Sequence, residues 1–285
     1  MFELAVENSS GQRLPLTGSA YFTVVDVQGL FSCPVTVNRS QVYGAAGSVF
    51  KSAKIGERNI TILIKIEHPV EKNRNRLYKY FRGGDRIRLF YKNGMKDVYI
   101  DGYVESPECN FFTVCEQTQF SIICPDPYFQ SVQDIELSFT KDASLFEFPF
   151  AIAEVGIPFS EYKISDSQTA YIDSVPSGCI ITVKSVGSWA ISKPTITNVT
   201  TGQSMTVDIR LEPGEILTIN SITGEKGIYK TGTDGVTQRA IGYMAEGSSW
   251  LTLMAGENVI GFDLQSGGYK NADVRLRAVN CYEGV

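Results

Sequence analysis

One histidine and six cysteines, set among 31 carboxylates, are the groups with which this 285-residue chain could do chemistry. Nucleophilic catalysis needs a base beside the nucleophile. His68 is the one candidate imidazole, and it precedes Pro69 at a strand end, where a solvated or hydrogen-bonded ring is the simpler reading. Cys33, Cys109, Cys115, Cys124, Cys179 and Cys281 include no CxxC pair, and the 109/115/124 spacing fits no zinc pattern. They read as free, buried or semi-buried thiols of a protein made in a reducing cytosol. Glycoside hydrolysis needs two carboxylates facing one bond. Glu105 and Glu108 flank Pro107 and read as solvent-facing. Gly224 to Gly235 is glycine-rich but carries no GxxxxGK pattern and opens no helix, so hairpin turns explain it better than a phosphate cradle. No catalytic residue, metal ligand or cofactor site is expected.

Two features point to binding. Between Lys72 and Lys96 lie Lys72, Arg74, Arg76, Lys79, Arg82, Arg86, Arg88, Lys92 and Lys96. With Tyr78, Tyr80 and Phe81 this stretch could contact nucleic acid. In a chain of net charge -5, a solvated face, or one meeting an acidic patch on a neighbouring subunit, is the better reading. Trp189 and Trp250 could stack on sugars, although a sandwich core uses tryptophan too, and core is preferred.

Strands and turns must position these groups. Tyr21 to Val27 and Val35 to Val37 read as strands, and Gln41 to Ser48, with Gly44, Ala45, Ala46 and Gly47, as a flexible loop. Ile60, Ile62, Ile64 and Ile66 fall on one face at period two, the clearest strand. Pro69 then starts the one helix, Val70 to Arg82, with Val70, Leu77 and Phe81 as its apolar stripe and Gly83–Gly84 as its stop. Arg86 to Tyr91 and Asp97 to Ser106 flank an Asn93–Gly94 turn, and Phe111 to Cys124 follows. The second half is short strands without a helical stretch: Cys179 to Val186, Pro194 to Asn198, Met205 to Leu211, Ile216 to Asn220, Gly227 to Lys230, Trp250 to Met254, Asn258 to Phe262 and Val274 to Val279.

Two domains follow from length and charge: residues 1–130 carry net +2 and residues 131–285 net -7. The expected division is 1–135 and 136–285, joined at the proline-rich Cys124–Tyr128 segment, in a mainly β chain. The polar opening, Met1 to Gly11, lacks a signal-peptide pattern, and no apolar run reaches the length of a membrane span.

Two stretches carry a family likeness. One is Arg86 to Phe129, which ends in Cys124, Pro125, Asp126, Pro127, Tyr128. The other is Lys193 to Phe262, with a Thr-Thr-Gly turn, Leu211-x-Pro213-Gly214-Glu215, and Leu253-Met254-Ala255-Gly256-Glu257-Asn258-Val259-Ile260, where Ala255 replaces the usual proline and Asn220-Ser221 an Asp-Thr. In these the chain resembles the distal tail protein family of long-tailed phages. The resemblance implies an N-terminal β-sandwich with one α-helix and a C-terminal galectin-like β-sandwich (jelly roll). It implies a homo-hexameric ring hub in the virion tail, assembled in the host cytoplasm and joining the tail tube protein to a tail-associated lysin or fibre protein and a receptor-binding protein. It implies no enzyme, no cofactor, no membrane and no specific nucleic acid. Cell-wall carbohydrate bound by the second sandwich is the alternative, and a tail-tip glycosidase or peptidase a third reading. The loop Gln41 to Lys54, with Gly44 and Gly47, and the basic helix, with Arg74 and Arg76, are the expected inter-subunit contacts.

Overall fold

A computed structural model describes residues 2–44, 46–105, 107–109, 116–144, 160–164, 167–173 and 175–285. Ala45, Cys115 and the 111–115 start of the expected third strand lie outside the described residues. The chain divides into two compact units, Met1–Gln133 with Cys281–Val285, and Asp134–Asn280. Unit 2 therefore begins two residues before the block 136–285 read from the sequence and ends five residues before that block ends.

Unit 1 contains β1 (Glu3–Asn8), β2 (Arg13–Pro15), β3 (Phe22–Gln28), β4 (Val35–Gln41), β5 (Ser48–Ile55), β6 (Arg58–Ile66), α1 (Val70–Leu77), β7 (Arg86–Lys92), β8 (Asp97–Val104), β9 (Glu108–Cys109), β10 (Gln117–Cys124) and the start of β11 (Phe129–Ser138). Its antiparallel ladder runs β2–β1–β7–β8, and β8 passes through β10 to β6 and β3. The isoleucine line is as expected: Ile60, Ile62, Ile64 and Ile66 are all buried in the unit 1 core. The opening segment is not simply polar. Leu4 and Val6 alternate into the same core from β1, a strand too short and too flanked by charge to stand out in sequence.

The helix is shorter than its apolar stripe suggests. It ends at Leu77, and the next turn tightens, with Tyr80 and Phe81 both donating backbone N–H to Leu77 O at 2.9 Å. This delivers Phe81 onto Phe120, ring centroids 3.9 Å apart and stacked. The Asn93 turn joins β7 to β8 as read, its Oδ1 accepting from the N–H groups of Met95 and Lys96.

Unit 2 adds β12 (Thr140–Ser144), β13 (Ser160–Ile164), β14 (Ser167–Ile172), β15 (Cys179–Ser185), β16 (Ile191–Asn198), β17 (Gln203–Thr206), β18 (Arg210–Leu211), β19 (Ile216–Asn220), β20 (Gly227–Thr231), β21 (Thr237–Arg239), β22 (Gly256–Ser266) and β23 (Ala272–Tyr282, its last two residues in unit 1). One sheet runs β23–β15–β19–β20–β21 and the other β14–β22–β16–β17, with β18 beside β16. Ile181, Val183, Leu217 and Leu276 of the first sheet meet Ile196, Met205 and Ile260 of the second in one core. The chain is mainly β with one α-helix among the described residues, as the sequence implies.

Trp250 to Met254 is not a strand; Leu253 makes only an isolated bridge to Ser177. Side chains take the place of the ladder there. Thr252 N–H donates to Gln203 Oε1, Thr252 O accepts from Asn198 Nδ2, and buried Asn258 bonds both the N–H and the O of Met254. Gly256, at φ +94°, lets the chain turn around that side chain. The Asn258 of the family-like motif is thus a loop clamp.

Candidate interaction surface

Among the described residues, β4 and β5 pair only with each other. Their ladder runs from Val35↔Ile55 to Gln41↔Ser48. The segment read as a loop, Gln41 to Lys54, is in fact a turn followed by a strand. A register shift between Asn38 and Arg39 leaves Lys51 unpaired, and this bulge interrupts the period-two pattern that would have marked β5. Gly44 and Gly47 stand in the turn at φ +78° and +93°, with no neighbour where a Cβ would lie. They serve backbone conformation and not close approach.

Cross-strand partners share a face. Val35, Val37, Ala53 and Ile55 therefore form one apolar side, continued past the bulge by Phe50 beside its partner Arg39, while Thr36, Asn38, Ser52 and Lys54 form a polar one, with Asn38 Nδ2 donating to Ser52 Oγ at 2.9 Å. The apolar side is exposed, Phe50 at 64%. The hairpin carries Arg39, Lys51 and Lys54 and no acid between 35 and 55. An isolated two-stranded hairpin is marginal in water, and exposed ladder edges and apolar faces recruit other chains.

The hairpin is anchored at its base. Gly56 N–H donates to Pro34 O at 2.9 Å. Next to it Arg58 continues the inward line of β6, buried at 1% exposure. Its guanidinium donates to Pro127 O at 2.7 Å, to Gly29 O at 2.5 Å, to Cys33 Sγ at 3.1 Å and to Glu283 O, and stands 4.9 Å over the Phe129 ring. Cys124 and Pro127 of the Cys124–Tyr128 segment are therefore anchored inside unit 1, and the division between units falls later, after Gln133. Cys124 is fully buried, which pushes its thiol up to about 12, and Pro127 supplies the carbonyl. No sequence pattern reports a carbonyl's partner, so this role was not legible.

Six of the nine basic residues in the 72–96 stretch have partners within unit 1. Arg74 donates to Glu116 at 2.9 Å, both half-buried, and Arg76 lies 3.8 Å over the Tyr21 ring. Arg86 and Arg88 both bond Asp101, and Lys92 bonds Asp97. Lys96 donates to Gly284 O at 2.7 Å. Burial opposes the charge on Asp101, but the hydrogen bonds from Arg88 and Arg86 outweigh it and hold its pKa below the ordinary value. Arg74 and Arg76 are thus partnered inside one subunit.

The remaining candidates separate. Glu105 and Glu108 are exposed, as read. Trp250 packs against the unit 2 core, whereas Trp189, expected there, is 73% exposed. Cys33, Cys109, Cys124 and Cys179 are free thiols, and burial pushes Cys179 and Cys281 up to about 11. Among the described residues no group of three His, Cys, Asp or Glu side chains could hold a metal, and no helix is long and apolar enough to cross a membrane. A groove of about 510 Å³ in unit 2 is lined by Glu136, Thr182, Arg275 and Arg277. Its arginines are tied to Asp273 and Asp134.

No protein-family model matches the sequence, and no curated protein does. Solved structures do match. The SPP1 Dit protein, described as a paradigm of the hub adsorption apparatus in phages infecting Gram-positive hosts, superposes with a TM-score of 0.67 over 99% of both chains at 11% identity. A chain of the phage P2 baseplate in its activated conformation with Ca gives 0.53 over 100% of both chains at 11% identity. The corresponding baseplate with Sr gives 0.50 over 98% of both at 12%. At these identities the likeness is one of fold, and it runs the whole length of the chain. The fold implied by the Arg86–Phe129 and Lys193–Phe262 motifs is the fold found.

Proposed function

We propose that this protein is a structural hub of a phage tail tip or baseplate that closes into a ring, expected to be hexameric, through the β4–β5 hairpin. The observation that carries this is the end-to-end likeness to the Dit hub protein. In support, the hairpin offers an exposed apolar side and a ladder that pairs with no other strand among the described residues. A ring is a heterologous contact that closes by rotation, and an arm reaching to the next copy suits it. Unit 1 would form the ring. Unit 2, a galectin-like module, would face the tail-associated lysin or fibre protein and the receptor-binding protein, and the ring would meet the tail tube. The role is one of fit, with no enzymatic step.

The test is native mass and electron microscopy of the purified protein beside Val37→Asp/Phe50→Asp. Both positions are exposed, so folding stability should move by no more than about 0.5 kcal/mol. Rings in the wild type and their loss in the variant support the reading; a wild type that is monomeric at every concentration ends it. A second reading, glycan binding by unit 2, rests on exposed Trp189 alone, and a cell-wall pull-down lost in Trp189→Ala would favour it.

A further inference from the structure

The last five residues, Cys281–Val285, pack in unit 1 although unit 2 precedes them in the chain. What they hold is the base of the hairpin. Val285 N–H donates to Leu30 O at 3.2 Å. Glu283 O takes the Arg58 guanidinium, which also grips Gly29 O and Cys33 Sγ on the segment that leads into β4. Gly284 lies so close to Phe31 that a Cβ would collide with the Phe31 carbonyl oxygen. Lys96 fastens the strap from the other side through Gly284 O, with its Nζ 4.8 Å from the Tyr282 ring centroid. Beyond its base, the hairpin has no ladder partner in its own subunit among the described residues, so its direction is set where residues 29–34 and 56–58 are held.

We propose that Cys281–Val285 form a strap that orders the hairpin, so that the assembly arm is presented only by a chain whose final strand has returned from unit 2 to unit 1. Self-association is thereby coupled to the return of the chain from unit 2 to unit 1, and chains that lack that return are kept out of the ring. This rests on the hairpin being the self-association element, and the experiment separates the two claims.

Gly284→Ala adds one methyl group against Phe31 O and leaves Arg58 in place; a chain ending at Asn280 removes the strap; Gly94→Ala, at a turn with open space around it, is the control. Hydrogen exchange in peptides covering residues 29–41 and 48–58 reads the hairpin base, and native mass reads the ring. Gly284→Ala should speed exchange at 29–34 by tenfold or more, the shortened chain should go further, both should lose rings, and Gly94→Ala should do neither. Unchanged exchange in both strap variants overturns the proposal. So does faster exchange with rings intact, because assembly would then ignore the strap. A wild type without rings refutes the hub reading and, with it, the coupling to assembly, while the exchange result still decides whether the strap orders the hairpin.

Discussion

Replacing Arg58 with methionine should destabilise unit 1 and leave unit 2 untouched. Burying a cation is costly, and exchanging a buried ion pair for apolar side chains is often neutral or favourable. Here the partners are not carboxylates that could be removed as well. They are three backbone carbonyls, Gly29 O, Pro127 O and Glu283 O; methionine takes the guanidinium donor from all three and leaves only the weak Cys33 thiol beside Pro127 O and Glu283 O. Each charge-assisted bond is worth roughly 1.5–3 kcal/mol. Relief of the cation's desolvation, several kcal/mol in effect, offsets part of that, so a net loss of about 2–4 kcal/mol is expected. At a urea m-value of about 2 kcal/mol/M the unit 1 midpoint should fall by about 1–2 M. Both tryptophans, Trp189 and Trp250, lie in unit 2, so their fluorescence follows that unit alone. Hydrogen exchange at β6 and β10 follows the other. A shifted unit 1 transition with an unmoved tryptophan transition is the expected result. A variant as stable as the wild type would refute the reasoning, because the loss of three charge-assisted bonds to buried carbonyls would then have cost nothing. Arg58→Lys should fall between the two, since an ammonium cannot reach all the acceptors of a planar guanidinium.

Phe81→Ala removes a buried ring stacked on Phe120 and should cost about 3–5 kcal/mol in unit 1, read by the same urea titration. Asn258→Ala should cost about 2–4 kcal/mol in unit 2, because the Met254 and Gly256 backbone groups and Asn198 lose their partner; tryptophan fluorescence at Trp250 reads it directly. The folded pKa of Asp101 is depressed, so its contribution to stability is complete above the ordinary carboxylate pKa and is lost as pH falls through the folded value. The unit 1 midpoint should therefore drop below about pH 4, less steeply in Asp101→Asn. Cys124 and Cys179, with thiols raised to about 12 and 11, should resist alkylation in the native protein at pH 8 and react once it is denatured in urea.

The sequence was most informative where burial imposes a period. Ile60 to Ile66 alternates because one face of β6 is core and the other is not, and that rule marks β10, β15 and β19 as well. It fails on β5, where neither face is covered and the Lys51 bulge shifts the register. Arg58 sits on the same inward line as the isoleucines, but a cation at such a position reads as a strand end, not as the centre of an anchor. Arg74 and Arg76 looked available for a partner because their neighbours, Glu116 and Tyr21, are far off in the chain. Trp189 was assigned by residue type, and type alone does not report exposure.

The chain leaves unit 1 after Gln133 and re-enters it at Cys281, so one module is embedded within the sequence of the other. Whatever occupies the interval can change in size, surface and specificity without altering the order of strands that makes the host module. Variation can then concentrate in the embedded part while the strand order of the host module stays constant. A chimera with an unrelated sandwich placed between Gln133 and Cys281 should still assemble; failure to do so would show that the two modules are not interchangeable parts.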